Sequence, residues 1–308
     1  MVWPTIRKIL ESTRLLGGDN DAPLNQPIVD LEQRTDHLQA QVGFGTARQI
    51  YWKPYQYELA TELGRKVFDG GEVAAFEWSP DGRKFYRRDN DDVLHQHTAA
   101  TPHVETSLTA DGVTLDLSEE VADARAFHFK PDGLAFFQCG TGNIYQYTLA
   151  TAWDLATATF AELSVDVSAQ VANPQDVAFR PDGLRMYVLA DAAVYQYTLA
   201  TAWDVSTATY DTVTLDISSE EDGAESIDWS ADGRRMFIMG ANDGHNLIVY
   251  EVSAANAWNL EDLDFEAFQA LTPSNCTFHR WAADGLTLSA LSEGFVLATH
   301  GCARPYAR

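Results

Sequence analysis

Two histidines, His95 and His97, stand two residues apart in Val93-Leu94-His95-Gln96-His97, a spacing that puts both on one face of a β-strand, where they would hold a metal ion. Five aspartates, Asp81, Asp132, Asp182, Asp232 and Asp284, each precede a glycine and could be imagined as a carboxylate set for acid–base work. Trp153, Trp203 and Trp258 recur in related surroundings and would serve as stacking platforms for a sugar. Each chemical reading competes with a plainer one. His95 and His97 replace tyrosines found elsewhere in the chain, which favours core filling. The aspartates sit in turn sequences, where a carboxylate caps backbone N–H groups. A tryptophan repeated at a repeated position serves to plug its own loop. No HExxH, GxSxG or EF-hand pattern is present, so no catalytic residue, metal or cofactor is expected.

The elements that carry these residues come from an internal repeat. Tyr145 to Asp154, reading Tyr-Gln-Tyr-Thr-Leu-Ala-Thr-Ala-Trp-Asp, returns letter for letter as Tyr195 to Asp204, fifty residues on. Asp-Gly pairs begin at 81, 132, 182, 232 and 284, at intervals of 51, 50, 50 and 52 residues. Each follows a short apolar run, such as Val177-Ala178-Phe179, and precedes another, such as Arg185-Met186-Tyr187-Val188. Asp-Gly between two such runs is a tight-turn signal, because glycine takes positive φ freely. Val194 to Leu199 and Thr212 to Ile217 supply a third and a fourth strand. Four short antiparallel strands in a unit of this length make a propeller blade.

The spacing therefore predicts an all-β fold, a β-propeller of about five four-stranded blades, or six if residues 43–70 make a partial blade of their own. Tyr55 to Thr61 resembles the third strand of the repeat, and the last unit runs out after Phe295 to Thr299. Ring closure by the N-terminal piece is the natural way to leave no open edge. Residues 46–308 are thus assigned to the propeller, and residues 1–45 to a short helical segment outside it. In that segment Ile28, Leu31, Thr35, Leu38 and Val42 are spaced 3, 4, 3 and 4, one narrow apolar stripe suited to anchoring or oligomerisation.

Composition limits the partners. The formal net charge of −24, from 45 acidic and 21 basic residues, repels phosphate backbones and anionic lipid, which argues against nucleic acid. No stretch is apolar enough for membrane insertion, and Met1 to Leu16 reads as no signal peptide. Cys139, Cys276 and Cys302 form no CxxC group; Cys139 falls in an apolar run and reads as a buried hydrophobe.

Two segments resemble bacteriophage proteins. Ala22 to Leu38, Ala-Pro-Leu-Asn-Gln-Pro-Ile-Val-Asp-Leu-Glu-Gln-Arg-Thr-Asp-His-Leu, is similar to an N-terminal motif of tail-fibre and other virion appendage proteins. The repeat, best seen in Ser79-Pro80-Asp81-Gly82 and Trp203-Asp204-Val205-Ser206-Thr207-Ala208, resembles propeller repeats of phage and environmental bacterial proteins. The resemblance implies a structural, non-enzymatic protein of the virion, a tail fibre, spike or appendage module contacting the host surface. Its partners would be other virion proteins, a second copy of itself, and a host surface glycan or protein. An architectural decoration of head, neck or tail is the alternative. A glycan-degrading enzyme stands last, to be revived if three or more carboxylates or histidines meet in the central channel.

Overall fold

The computed structural model describes residues 59–68, 73–121, 123–240, 246–270, 276–282, 287–292 and 296–302. The expected N-terminal helix, with Ile28, Leu31, Thr35, Leu38 and Val42, lies outside the described residues, as do Cys302's side chain and the Asp284-Gly285 turn.

The chain enters through β1 (Leu59–Val67) and then runs through four consecutive meanders. These are β2 (Ala75–Trp78) to β5 (Leu108–Asp116) by way of β3 (Lys84–Arg88) and β4 (Val93–Ala99), then β6 (Phe127–Phe129), β7 (Ala135–Gly140), β8 (Asn143–Leu149) and β9 (Ala158–Asp166). The third holds β10 (Asp176–Phe179), β11 (Arg185–Ala190), β12 (Ala193–Leu199) and β13 (Ala208–Asp216). The fourth holds β14 (Ala224–Trp229), β15 (Arg235–Gly240), β16 (Asn246–Glu251) and β17 (Asp264–Ala270), and β18 (Cys276–Trp281), β19 (Thr287–Ser292) and β20 (Val296–Cys302) follow. Five four-stranded antiparallel sheets result among the described residues, the last in the order β1-β20-β19-β18. Successive inner strands β2, β6, β10, β14 and β18 pack side by side, and β18 returns to β2, so the blades close a ring. The first strand of the chain is thus the outer edge of the last blade, pairing from Leu59↔Cys302 to Val67↔Val296.

The repeat has a mechanical reason in each turn. In Ser79-Pro80-Asp81-Gly82 the Gly82 N–H donates to the Ser79 carbonyl at 2.8 Å, and Gly82 sits at φ +67°. A left-handed residue closing a four-residue hairpin loop is a standing preference for glycine. The Asp81 carboxylate accepts from the Arg83 N–H at 3.0 Å, and Asp132, Asp182 and Asp232 do the same two residues ahead at 3.0 to 3.1 Å. These four aspartates are turn caps.

The outer strands carry a second periodic device. Gly112, Glu162 and Thr212 have φ of +72°, +57° and +61°, fifty residues apart, each beside a register shift where the third strand pairs with the fourth. A bulge there twists the outer strand and discourages edge-to-edge pairing. The core fills the gaps between blades: Phe76, Phe85, Phe136, Tyr187 and Phe237 are all at most 1% exposed.

Candidate functional site

The residues singled out for chemistry are positioned by the blades separately. His95 and His97 lie on β4: His95 Nε2 is 2.6 Å from Asp89 Oδ2, while His97 packs edge-on against Phe68 and Phe85. Burial, followed by the nearby Arg87 charge, pushes the His97 imidazole down to about 4. No group of three potential metal ligands occurs among the described residues.

Trp153, Trp203 and Trp258 stand at φ near +62° to +65°, and each backbone N–H donates to the carbonyl of the turn glycine of its own blade, Gly133, Gly183 and Gly233, at 2.8 to 3.0 Å. Each indole then lies on that glycine, so closely that a Cβ there would meet the ring within 2.4 Å. Its other face packs on the inner strand, on Phe129, Phe179 or Trp229, at centroid distances of 5.2 to 5.3 Å. The following Asp154 and Asp204 cap a 3-10 turn through the N–H groups of Ala156 and Ser206. In the first unit His103 occupies the tryptophan position over Gly82. The three tryptophans are therefore dispersed over three blades, each spent on a turn.

What the blades do bring together is on the axis. The residue four before each turn aspartate reads Glu77, His128, Ala178, Asp228 and Arg280 around the ring, one from each inner strand. Arg280 reaches across to Asp176 on β10 in a two-pronged ion pair, Nη1 to Oδ2 at 2.8 Å and Nη2 to Oδ1 at 2.9 Å. It also donates to the carbonyls of Phe127 on β6 and His279 on its own strand at 3.2 and 3.1 Å. The acidic members clasp the next blade: Glu77 accepts from the Phe129 N–H, Asp176 from Ile227 and Asp228 from Trp281, at 2.9 to 3.1 Å. Ser226 and His279 pair likewise, hydroxyl to Nδ1 at 2.7 Å.

Burial shapes the charges of this node. It would lower the Arg280 pKa, but Asp176 outweighs it and holds the guanidinium charged. Burial outweighs the attraction of Arg280 at Asp228, which is pushed up to about 6, and lifts Glu77 well above the usual carboxylate range. Burial, with Arg280 adding to it, drives His128 down to about 3. Three carboxylates and two histidines do meet in the channel, but their hydrogen bonds join blade to blade. Sequence reading missed them because each is a single letter in a different repeat. The signal was available: one column of an otherwise letter-preserving repeat holds five different residues.

Above this node, where the inner strands begin, lies a cavity of about 500 Å³ lined from all five blades. Arg88 and Arg125 come from the first two, Gln175, Asp191 and Glu225 from the next two, and Phe278 and Leu291 from the last. Arg88 is 7% exposed and is held in place by its own bonds, Nε to the Arg125 carbonyl at 2.7 Å and Nη1 to Asp89 O and Asp92 Oδ1 at 2.9 Å. Its Nη2 has no hydrogen-bond partner among the described residues. On the third blade Gln175 donates to Asp191 Oδ1 at 2.6 Å.

No protein-family profile matches the chain, and no curated protein does. Solved structures do match, at low identity. A periplasmic gluconolactonase of Pseudomonas aeruginosa is 15% identical with a TM-score of 0.46, over 72% of this chain and 64% of that one. A Bacteroides uniformis protein provisionally assigned as a 6-phosphogluconolactonase is 15% identical at 0.45, over 69% and 61%. A chain of the mitotic checkpoint complex is 15% identical at 0.44, over 75% and 64%. The chain spans under two thirds of the length of each of these.

This comparison corrects the phage reading. The solved structures compared are named as lactonases, a checkpoint-complex chain and a propeller domain, none as a virion component, and the tail-fibre, spike and decoration roles, host attachment and placement in a virion are not retained for this chain. The physical reason is plain in the blade. Of the two segments that carried the resemblance, Ala22 to Leu38 lies outside the described residues, and the Asp-Gly turn and Trp-Asp loop of the repeat build hairpins and cap turns, so they mark an architecture.

Proposed function

We propose that this propeller is a non-catalytic binding module that takes a small polar solute at the mouth of its axial channel. The carrying observation is the cavity of about 500 Å³ to which every blade contributes. A concave site with an apolar floor and a few fixed polar groups is the usual form of a small-molecule pocket. Arg88, fixed by three bonds and with one nitrogen to spare, is a pre-organised donor at its wall. Glu77, His128 and Asp228, whose proton affinities burial displaces, are engaged in holding blades together, which favours binding over catalysis.

The test is a calorimetric screen of sugars, dicarboxylates, amino acids and dipeptides against the full chain, followed by a structure with the best solute. A solute seated among Arg88, Ala126, Ala224 and Phe278 and recovered unchanged supports the reading. A solute bound elsewhere, or consumed, overturns it.

A further inference from the structure

Every charged side chain that lines the axial cavity already has a partner. Arg88 donates to Asp92 Oδ1 at 2.9 Å and Arg125 to Asp123 Oδ2 at 2.9 Å, so carboxylates close in sequence neutralise both guanidinium groups. Asp191 Oδ1 accepts from the Gln175 amide at 2.6 Å, and Glu225 holds an interaction of its own. What stays open is a mixture of single donors and acceptors. Arg88 Nη2, Asp191 Oδ2 and Gln175 Oε1 have no hydrogen-bond partner among the described residues.

We propose that the solute is uncharged and polyhydroxylated, of the sugar or sugar-alcohol class. This rests on the reading of the cavity as the binding site. A hydroxyl both donates and accepts, so the several hydroxyls of one molecule suit a lining that offers a spare donor at Arg88 and spare acceptors at Asp191 and Gln175. A charged group finds no such place. An anion would compete with Asp92 or Asp123 for an arginine, in a chain of net charge −24, and would share the cavity with Asp191 and Glu225. A cation would share it with Arg88 and Arg125. Either ion gives up water for a lining whose arginines are already neutralised, and single hydrogen bonds return less than that desolvation costs. A polyol gives up only the hydration of its hydroxyls, which the open donor and acceptors replace.

The experiment is titration calorimetry of the full chain with glucose, maltose and sorbitol, and with glucuronate and glucosamine as the anionic and cationic counterparts of glucose, each at low and high salt. A structure of the complex then places the solute. The uncharged solutes should bind roughly tenfold more tightly than the charged ones, with an affinity that salt does not change. Asp191→Asn removes a charge at an exposed position, which spares the fold. It should leave the uncharged solutes within about twofold, because a hydroxyl accepts from the new amide as it donated to the carboxylate. Tighter binding of glucuronate or glucosamine in the cavity, or a severalfold loss of glucose binding with Asp191→Asn, overturns the uncharged solute and leaves the binding site standing. No binding by any of these solutes, or a solute seated outside the cavity, overturns both.

Discussion

Arg280 is the point at which single residues decide the most. Its guanidinium neutralises Asp176 while bonding to the second and fifth blades, so replacing it leaves buried carboxylates without their cation. Arg280→Met should cost roughly 3–5 kcal/mol, the usual loss when one member of a buried pair is removed, read from denaturant unfolding. His97 offers a test with a pH signature. Its folded pKa of about 4 lies below the ordinary 6.5, so the native state binds fewer protons than the unfolded chain between these values. Its contribution is therefore intact above pH 6.5 and lost as pH falls towards 4, up to about 3 kcal/mol by linkage. His97→Phe should gain on the parent by roughly 2 kcal/mol between about pH 7.5 and 4.5, again by denaturant unfolding. A difference independent of pH would sink the assignment. Asp228 works in the opposite sense: with its pKa raised from 3.8 to about 6, its contribution is full below 3.8 and declines as pH rises through 6. Carbon NMR of its carboxyl should show a midpoint near 6.

At the scale of the element, the turn and its tryptophan behave as one unit. Gly183 at φ +71° lies under the Trp203 indole, so Gly183→Ala forces both an unfavourable backbone and a displaced ring. Trp203→Ala removes a half-buried plug. Each should cost about 2–3 kcal/mol, and the double variant clearly less than the sum, because the ring displaced in the first is absent in the second. Strict additivity would show that the contact is idle. These elements are also where the chain was most legible. The Asp-Gly turns, the strand order and the structural use of the tryptophans all follow from local rules of turn and strand, repeated until the period is plain. The axial node and the cavity follow no local rule. Glu77, Asp176, Asp228 and Arg280 are drawn from four blades, and only ring closure makes them neighbours.

For the whole molecule, closure is the governing feature. Every described strand of the five sheets comes from residue 59 onward. Compared with a chain lacking residues 1–55, one lacking residues 1–67 also loses β1 and bares the β20 edge, and should melt markedly lower and associate, as size-exclusion chromatography would report. Equal behaviour of the two truncations would refute closure by β1. The pairing also has a mechanical consequence. Leu59 and Cys302 are opposite one another at the same end of their ladder, so tension applied through the two ends of the propeller peels the hydrogen bonds apart one after another instead of loading them all together. The ring that leaves no open edge is, under traction, held by one bond at a time.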